Sequence, residues 1–333
     1  MTSAHIIVGA EPFPGYAPED LSQVRALCEE FGVSALDTAA SYTASEEILG
    51  ASGPSQQFTI HTKAPGWTPG SLSRDSILAG MEESLVRLCV RSVDIYYLHC
   101  PDPETSIEET LEAIQVLYKG GKFQRFGLSN FTPDQVRAIH AYQAQHSFVL
   151  PSVYQGNYNA ISRHIEQSLF PVLLELGIQF FAYSPAAGGF LTKSFTNLEH
   201  MMTGAKGTED TLRSDNNSRF TTHPAAAMYR KIYFRGTLLE GMREWGAIAE
   251  AEGVSRAALA YRWAAFGGAL GTDRGDAIIV GARTVAQLRE TLEALRQGPL
   301  SAAAVARIDG MWEMVQQEAP TDNYNKTGEC LVF

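Results

Sequence analysis

Eight short apolar runs divide this chain, and a longer stretch with helical spacing follows most of them. The runs are HIIVGA (5–10), SALDTA (34–39), FTIHTKA (58–64), SVDIYYLHC (92–100), FQRFGLSN (123–130), PSVYQGN (151–157), IQFFAYSP (178–185) and DAIIVGA (276–282). Runs of strand length alternating with helices imply parallel pairing through right-handed crossovers. The intervening segments carry helix signals. Ile77, Met81, Leu85 and Leu88 share one face. Ser106 and Glu109 read as a capping box on a helix that ends at Gly120-Gly121. Thr132 reads as an N-cap with Pro133 at the first helical position. The stretches VAQLRETLEAL and SAAAVARIDGMWEMV supply the last two helices.

Two architectures use such a series. An open doubly wound sheet places a Gly-rich phosphate loop after an early strand, and VGAEPFPGY is not that loop. A closed eight-stranded barrel instead gathers its functional groups at the C-terminal ends of the strands. Here strand two ends at Asp37, strand three at Lys63, strand four at His99, strand five at Ser129-Asn130, strand six at Gln155 and strand seven at Tyr183-Ser184. Each alone has a plain explanation. A strand-end Asp usually caps a turn, a His in YYLHC is more often a hydrogen-bonded core residue, and a Lys can simply reach for solvent. Polar groups of complementary type at six strand ends, which a barrel would bring to one rim, are harder to dismiss. We predict an α/β fold of the (β/α)8 TIM barrel type, one domain over residues 1–333. A long rim loop follows strand seven at about 191–236, and a C-terminal helix leads into a tail at about 319–333. A polar loop of that length on a barrel rim is expected to cover or line the site.

Composition narrows the partners. Formal net charge is −11 with no Lys/Arg cluster, which argues against nucleic acid. No apolar run reaches membrane-spanning length, and the N-terminus lacks a signal-peptide pattern. Cysteines at 28, 89, 100 and 330 form no C-x-x-C pair, as expected for reduced thiols in a cytoplasmic protein. Cys330-Leu331-Val332-Phe333 fits the C-a-a-X prenylation pattern. Only Lys326 is basic in the TDNYNKTGE stretch before it, and a single lipid without a basic patch binds membranes weakly. An unmodified tail is expected. No metal-ligand spacing stands out.

The strand-end groups suggest a chemistry. A buried carboxylate such as Asp37 costs several kcal/mol unless paired, and Lys63 can pair with it. An ammonium beside Tyr42 is expected to lower the phenol's pKa from its ordinary value of about 10. His99 can hydrogen-bond a carbonyl oxygen. Together these suit proton donation to an oxygen gaining negative charge. No side-chain nucleophile presents itself, and neither G-x-S-x-G nor H-E-x-x-H occurs, so a hydride from a nicotinamide cofactor would have to attack the carbon. Ser129, Asn130 and Gln155 suit a carboxamide, and Tyr183 offers a flat face. VGARTVAQL (280–288) opens a helix at a favourable phosphate site.

The stretches DTAASYTASEEILG, IHTKAPGW, VDIYYLHCPD, FGLSNF, VYQGNYNAISR, AYSPAAGGFLT and IIVGARTVAQLRETL resemble the aldo-keto reductases from about residue 35 to 295. They are most similar to the aflatoxin-aldehyde/succinic-semialdehyde reductase branch. The resemblance implies a barrel that binds NADPH/NADP+ without a Rossmann fold, with a tetrad at Asp37, Tyr42, Lys63 and His99 and Tyr42 as acid/base. It puts cofactor contacts at Ser129, Asn130, Gln155, Tyr183, Ser184, Gly281, Arg283, Thr284 and Gln287. Arg219 and Arg230 match loop positions that help hold a substrate carboxylate in the branch, and Trp67, with Phe13 and Tyr16, is a candidate lining. The chain departs from the branch at Tyr183, where Asn is typical, and at Thr291, where Asn usually contacts adenine.

An NADPH-dependent carbonyl reductase acting on a small molecule is the expectation. A redox-sensing regulatory protein of the same fold, as potassium-channel β subunits resemble, is the alternative. A sugar-phosphate lyase or isomerase using the strand-eight phosphate site is a third. The physiological substrate and the oligomeric state, monomer or homo-oligomer such as a dimer, are not legible in the sequence.

Overall fold

Parallel pairing closes all eight strands into one barrel in the order β1-β2-β3-β4-β5-β6-β7-β8. The computed structural model describes residues 5–53, 57–203, 219–221, 223 and 225–322. The C-a-a-X motif, Lys326 and residues 204–218 of the rim segment lie outside these. The strands are β1 (His5–Gly9), β2 (Ala35–Asp37), β3 (Thr59–Lys63), β4 (Val93–Leu98), β5 (Phe123–Ser129), β6 (Pro151–Asn157), β7 (Gln179–Tyr183) and β8 (Ala277–Val280). Each falls within its expected run. The final closure pairs β8 with β1, Val280 opposite Val8.

Side-chain alternation separates two cores. Ile7, Ile95, Tyr97, Val153, Phe181, Ala277 and Ile279 fill the barrel interior. Their neighbours Val8, Tyr96, Leu98, Phe180 and Ile278 pack outward against the helices. A strand's side chains alternate faces with period two, so each interior residue is odd-numbered along its strand. The interior is close-packed. Tyr97 sits opposite Gly127 in the β4–β5 register, and a Cβ at residue 127 would lie 2.3 Å from the Tyr97 ring. Glycine there makes room for the tyrosine.

The helices follow their local signals with two exceptions. The Arg74–Leu88 helix buries Ile77, Met81, Leu85 and Leu88. Thr132 and Gln135 form a full capping box at the Pro133–Gln145 helix. At the Ile107–Lys119 helix, Ser106 Oγ accepts the Glu109 N–H, but the Glu109 carboxylate accepts from the Arg74 backbone N–H at 2.8 Å. The expected reciprocal box is thus half built, because Glu109 instead caps the neighbouring helix, where its charge also complements that helix's positive end. The second exception is the rim segment. It is not all loop, since it contains helices at Phe195–Thr203 and Ala226–Tyr233. The Gly236–Glu252 helix that follows is anchored by buried Trp245, whose Nε1 donates to the Leu191 carbonyl at 2.8 Å. The Ala302–Val315 helix then packs beside it.

Candidate active site

Asp37, Lys63 and Gln155 continue the inward parity of β2, β3 and β6 beyond the apolar layer, and all three are buried. The Lys63 ammonium donates to Asp37 Oδ1 at 2.5 Å and to the Thr38 carbonyl at 2.7 Å. Gln155 Nε2 donates to the other Asp37 oxygen at 2.8 Å. Asp37 therefore caps no turn. It neutralises a lysine that is itself out of water, and both its oxygens are satisfied, as a buried carboxylate requires.

The turn after β2 delivers Tyr42. Thr38 N–H and Ala40 N–H donate to the carbonyls of His61 and Lys63, and Tyr42 N–H closes back on Ala39 at 3.0 Å. This docks the turn on β3 and sets the Lys63 ammonium 4.9 Å from the Tyr42 ring centroid. Burial alone would lower the Lys63 pKa, but Asp37 and Tyr42 outweigh it, and the ammonium is held above its ordinary value. The phenol behaves differently from the sequence expectation. Burial raises the Tyr42 pKa, Asp37 adds to the rise, and the opposing pull of Lys63 does not overcome them. The balance favours the neutral phenol.

His99 completes the group. Its ring lies edge-on to Tyr42 with centroids 5.7 Å apart and to Trp67 at 5.4 Å, and its Nδ1 is 3.3 Å from Ser41 Oγ. Burial, then the nearby Lys63 charge, drives its pKa well below 6.5, so the imidazole is neutral. Trp67 holds a left-handed backbone at φ 71°, with its N–H on Cys100 Sγ at 3.3 Å. A non-glycine residue in that region is strained and is kept there by its surroundings. Ser41 and Cys100 were not singled out in the sequence; a position one residue from Tyr42 or His99 is their sole signal.

The expected cofactor residues fall into two groups. Asn130, also left-handed at φ 64°, ties three strand ends together. Its Nδ2 donates to the His99 carbonyl at 2.8 Å and to Ser129 Oγ at 3.1 Å, and its Oδ1 accepts from the Tyr183 hydroxyl at 2.9 Å. Ser129 stands opposite Gln155 in register. Ser184 follows with φ 54°, and its carbonyl accepts from Asn159 Nδ2. The second group follows β8. Tyr16 and Tyr261 hydroxyls hold the carbonyls of Ala282 and Gly281 at 2.6 and 3.1 Å. Thr284 Oγ1 accepts the Gln287 N–H at 3.2 Å, and Gln287 Oε1 accepts the Arg283 N–H at 3.1 Å. This caps the Val285–Arg296 helix beside the exposed Arg283. Thr291 is buried.

The donor set suits a nicotinamide dinucleotide. A buried hydroxyl and amides stand at one end, beside a tyrosine ring fixed by its hydroxyl. At the other end an arginine stands at a capped helix N-terminus, the usual seat of a phosphate. Neither Arg219 nor Arg230 joins the tetrad directly. Arg230 Nη1 donates to the Phe220 carbonyl at 2.9 Å. Arg219 is paired with Glu11 at 2.5 Å, a residue the sequence reading passed over although it lies just beyond β1 on the same rim. Phe13 is buried and Tyr16 stacks on it at 5.5 Å. Among the described residues no cluster of His, Cys, Asp or Glu could hold a metal ion, and no helix is long and apolar enough to cross a membrane.

A model of the aldo/keto reductase family matches residues 6–313. The chain is 37% identical over 294 residues to "Oxidoreductase sirO" of Leptosphaeria maculans, covering 88% of this chain and 85% of the relative. It is 37% identical over 317 residues to human "Aflatoxin B1 aldehyde reductase member 2", covering 91% and 84%. It is 36% identical over 315 residues to human "Aldo-keto reductase family 7 member A3", covering 91% and 92%.

Proposed function

The chain belongs to the aldo/keto reductase family, and from that premise we propose that it reduces aldehydes and ketones to alcohols with NADPH, Tyr42 donating the proton. The observation that carries this is the Tyr42 ring beside the buried Lys63–Asp37 pair, with the His99 ring edge-on to it. NADPH, when bound, supplies the hydride that attacks the carbonyl carbon. The protein's own residues do the rest. His99 and the Tyr42 hydroxyl hydrogen-bond the carbonyl oxygen and orient it. Tyr42 gives its proton to that oxygen as negative charge develops there, and Lys63 stabilises the phenolate left behind. Asp37 keeps Lys63 charged and in place. Ser129, Asn130 and Gln155 would hold the carboxamide, Tyr183 the ring face, and Arg283 with the helix N-terminus at Thr284 the 2′-phosphate. Ser184 and Gly281 would line the path between them, and Trp67, packed on His99, would form one wall of the substrate site.

A screen of aliphatic, aromatic and carboxylate-bearing aldehydes and ketones, following NADPH absorbance, tests the proposal. Oxidation of NADPH that depends on a carbonyl compound supports it. Tight NADPH binding with no turnover of any of them would sink it.

A further inference from the structure

Glu11 stands two residues beyond the end of β1. Ala10 before it is fixed to the tetrad strand, since its N–H donates to the Asp37 carbonyl at 2.8 Å and its carbonyl accepts from Ser45 Oγ at 2.9 Å. The backbone at residue 11 therefore leaves the rim beside Asp37 and the turn that carries Tyr42. Both its oxygens are engaged. Oε2 accepts from Arg219 Nη2 at 2.5 Å, and Oε1 lies 3.1 Å from His223 Nε2. Arg219 Nη1 meanwhile donates to the Tyr229 hydroxyl at 2.9 Å. Tyr229 reaches that place because residue 188 is glycine; a Cβ there would lie 2.4 Å from the ring. Arg219 is thus aimed by two partners that come from different parts of the chain.

The pair is neither deeply buried nor fully exposed. Glu11 and Arg219 side chains keep 29% and 31% of their surface, so the pair stays partly open to solvent. The Ala10 bond to the Asp37 carbonyl puts Glu11, and Arg219 paired with it, on the rim that carries the Asp37–Lys63 pair and the Tyr42 turn. An arginine fork binds one carboxylate in bidentate fashion. Here a carboxylate of the protein already sits on it.

We infer that Glu11 is a specificity-determining residue, an internal carboxylate that occupies Arg219 and so turns the site away from acid-bearing carbonyl substrates toward uncharged ones. This rests on the carbonyl-reductase reading and sets the substrate class for the same site. A carboxylate substrate would have to share Arg219 with Glu11 or displace it, and in either case lies beside that anion, so it meets repulsion as well as competition. Without Glu11 the same arginine becomes a receptor for the acid.

Glu11→Gln and Glu11→Ala are compared with the wild type using 4-oxobutanoate and butanal, which share a four-carbon chain and differ in charge. Succinate, which cannot be reduced, is titrated calorimetrically onto the NADP+-loaded proteins, and NADPH affinity is measured in parallel. Both variants should raise the acid-to-neutral ratio of kcat/KM at least tenfold and bind succinate correspondingly tighter, and adding Arg219→Ala should abolish both gains. An unchanged ratio with unchanged succinate affinity overturns the inference. So does a gain that survives Arg219→Ala, or one that appears as tighter NADPH binding alone, since Arg219 would then serve the cofactor's phosphates. Failure of the wild type to reduce either aldehyde would count against the reductase reading. The succinate titration decides the role of Glu11 in either case.

Discussion

Lys63 Nζ lies 2.5 Å from Asp37 Oδ1 inside the barrel, and neither side chain keeps more than 4% of its surface. A pair this deep gives little net stability over an apolar replacement, because both ions have left water. Its value is in fixing an ammonium beside Tyr42 where water cannot screen it. Gln155 and the Thr38 carbonyl complete the hydrogen bonding of the two ions, so the charge is held at one position.

Removing one partner should cost far more than the pair contributes. Asp37→Asn leaves the Lys63 ammonium buried against a neutral amide, and unfolding in urea should show a loss of about 3–5 kcal/mol. Lys63 is held above its ordinary pKa in the folded state. Its contribution is therefore complete below the unfolded value of about 10.4 and is lost only as pH rises through the higher folded one. The Asp37→Asn deficit should be flat from about pH 7 to pH 9; a deficit that disappears across that range would contradict the assignment.

Tyr42→Phe removes the proposed acid and leaves the ring. Turnover should fall by roughly 10²–10⁴-fold, while NADPH titration by fluorescence stays within a few-fold of the wild type. A variant that keeps a tenth of the activity would mean another group donates the proton.

His99 makes a prediction on the acid side. Burial, with Lys63 adding, keeps its folded pKa well below 6.5, so between these values the unfolded chain binds a proton the folded one refuses. Stability then rises with pH in that window and is lost as pH falls below about 6.5, by about 1.4 kcal/mol per unit. Denaturation midpoints of the wild type and His99→Gln from about pH 6.5 to 5 should show this extra slope in the wild type alone. Parallel slopes would mean that the folded imidazole takes up a proton.

Arg283 should set cofactor choice. A charge-assisted bond to a 2′-phosphate is worth roughly 1.5–3 kcal/mol, about 10–100-fold in affinity. Arg283→Ala should weaken NADPH by that factor and leave NADH unchanged by calorimetry. Equal losses for the two would move Arg283 to another part of the cofactor.

Much of this molecule is written locally. Strand length, alternation and the polar residues closing six of the eight strands are short-range patterns, and the period of two is enough to send Asp37, Lys63, His99, Ser129 and Gln155 to the same side as Ile7 and Tyr97. The caps at Thr132 and Thr284 are likewise settled within a few residues. What the chain could not disclose by itself depends on groups that meet only after folding. Glu109 leaves its own helix for the Arg74 N–H, 35 residues away. Arg219 meets Glu11 across 208 residues, which makes a paired arginine of one that reads in sequence as ready for a substrate. The direction of the Tyr42 shift is of the same kind. The attraction of Lys63 follows from adjacent strand ends, whereas desolvation is a sum over all that closes around the phenol, and that sum, which outweighs the lysine, exists only in the tertiary structure.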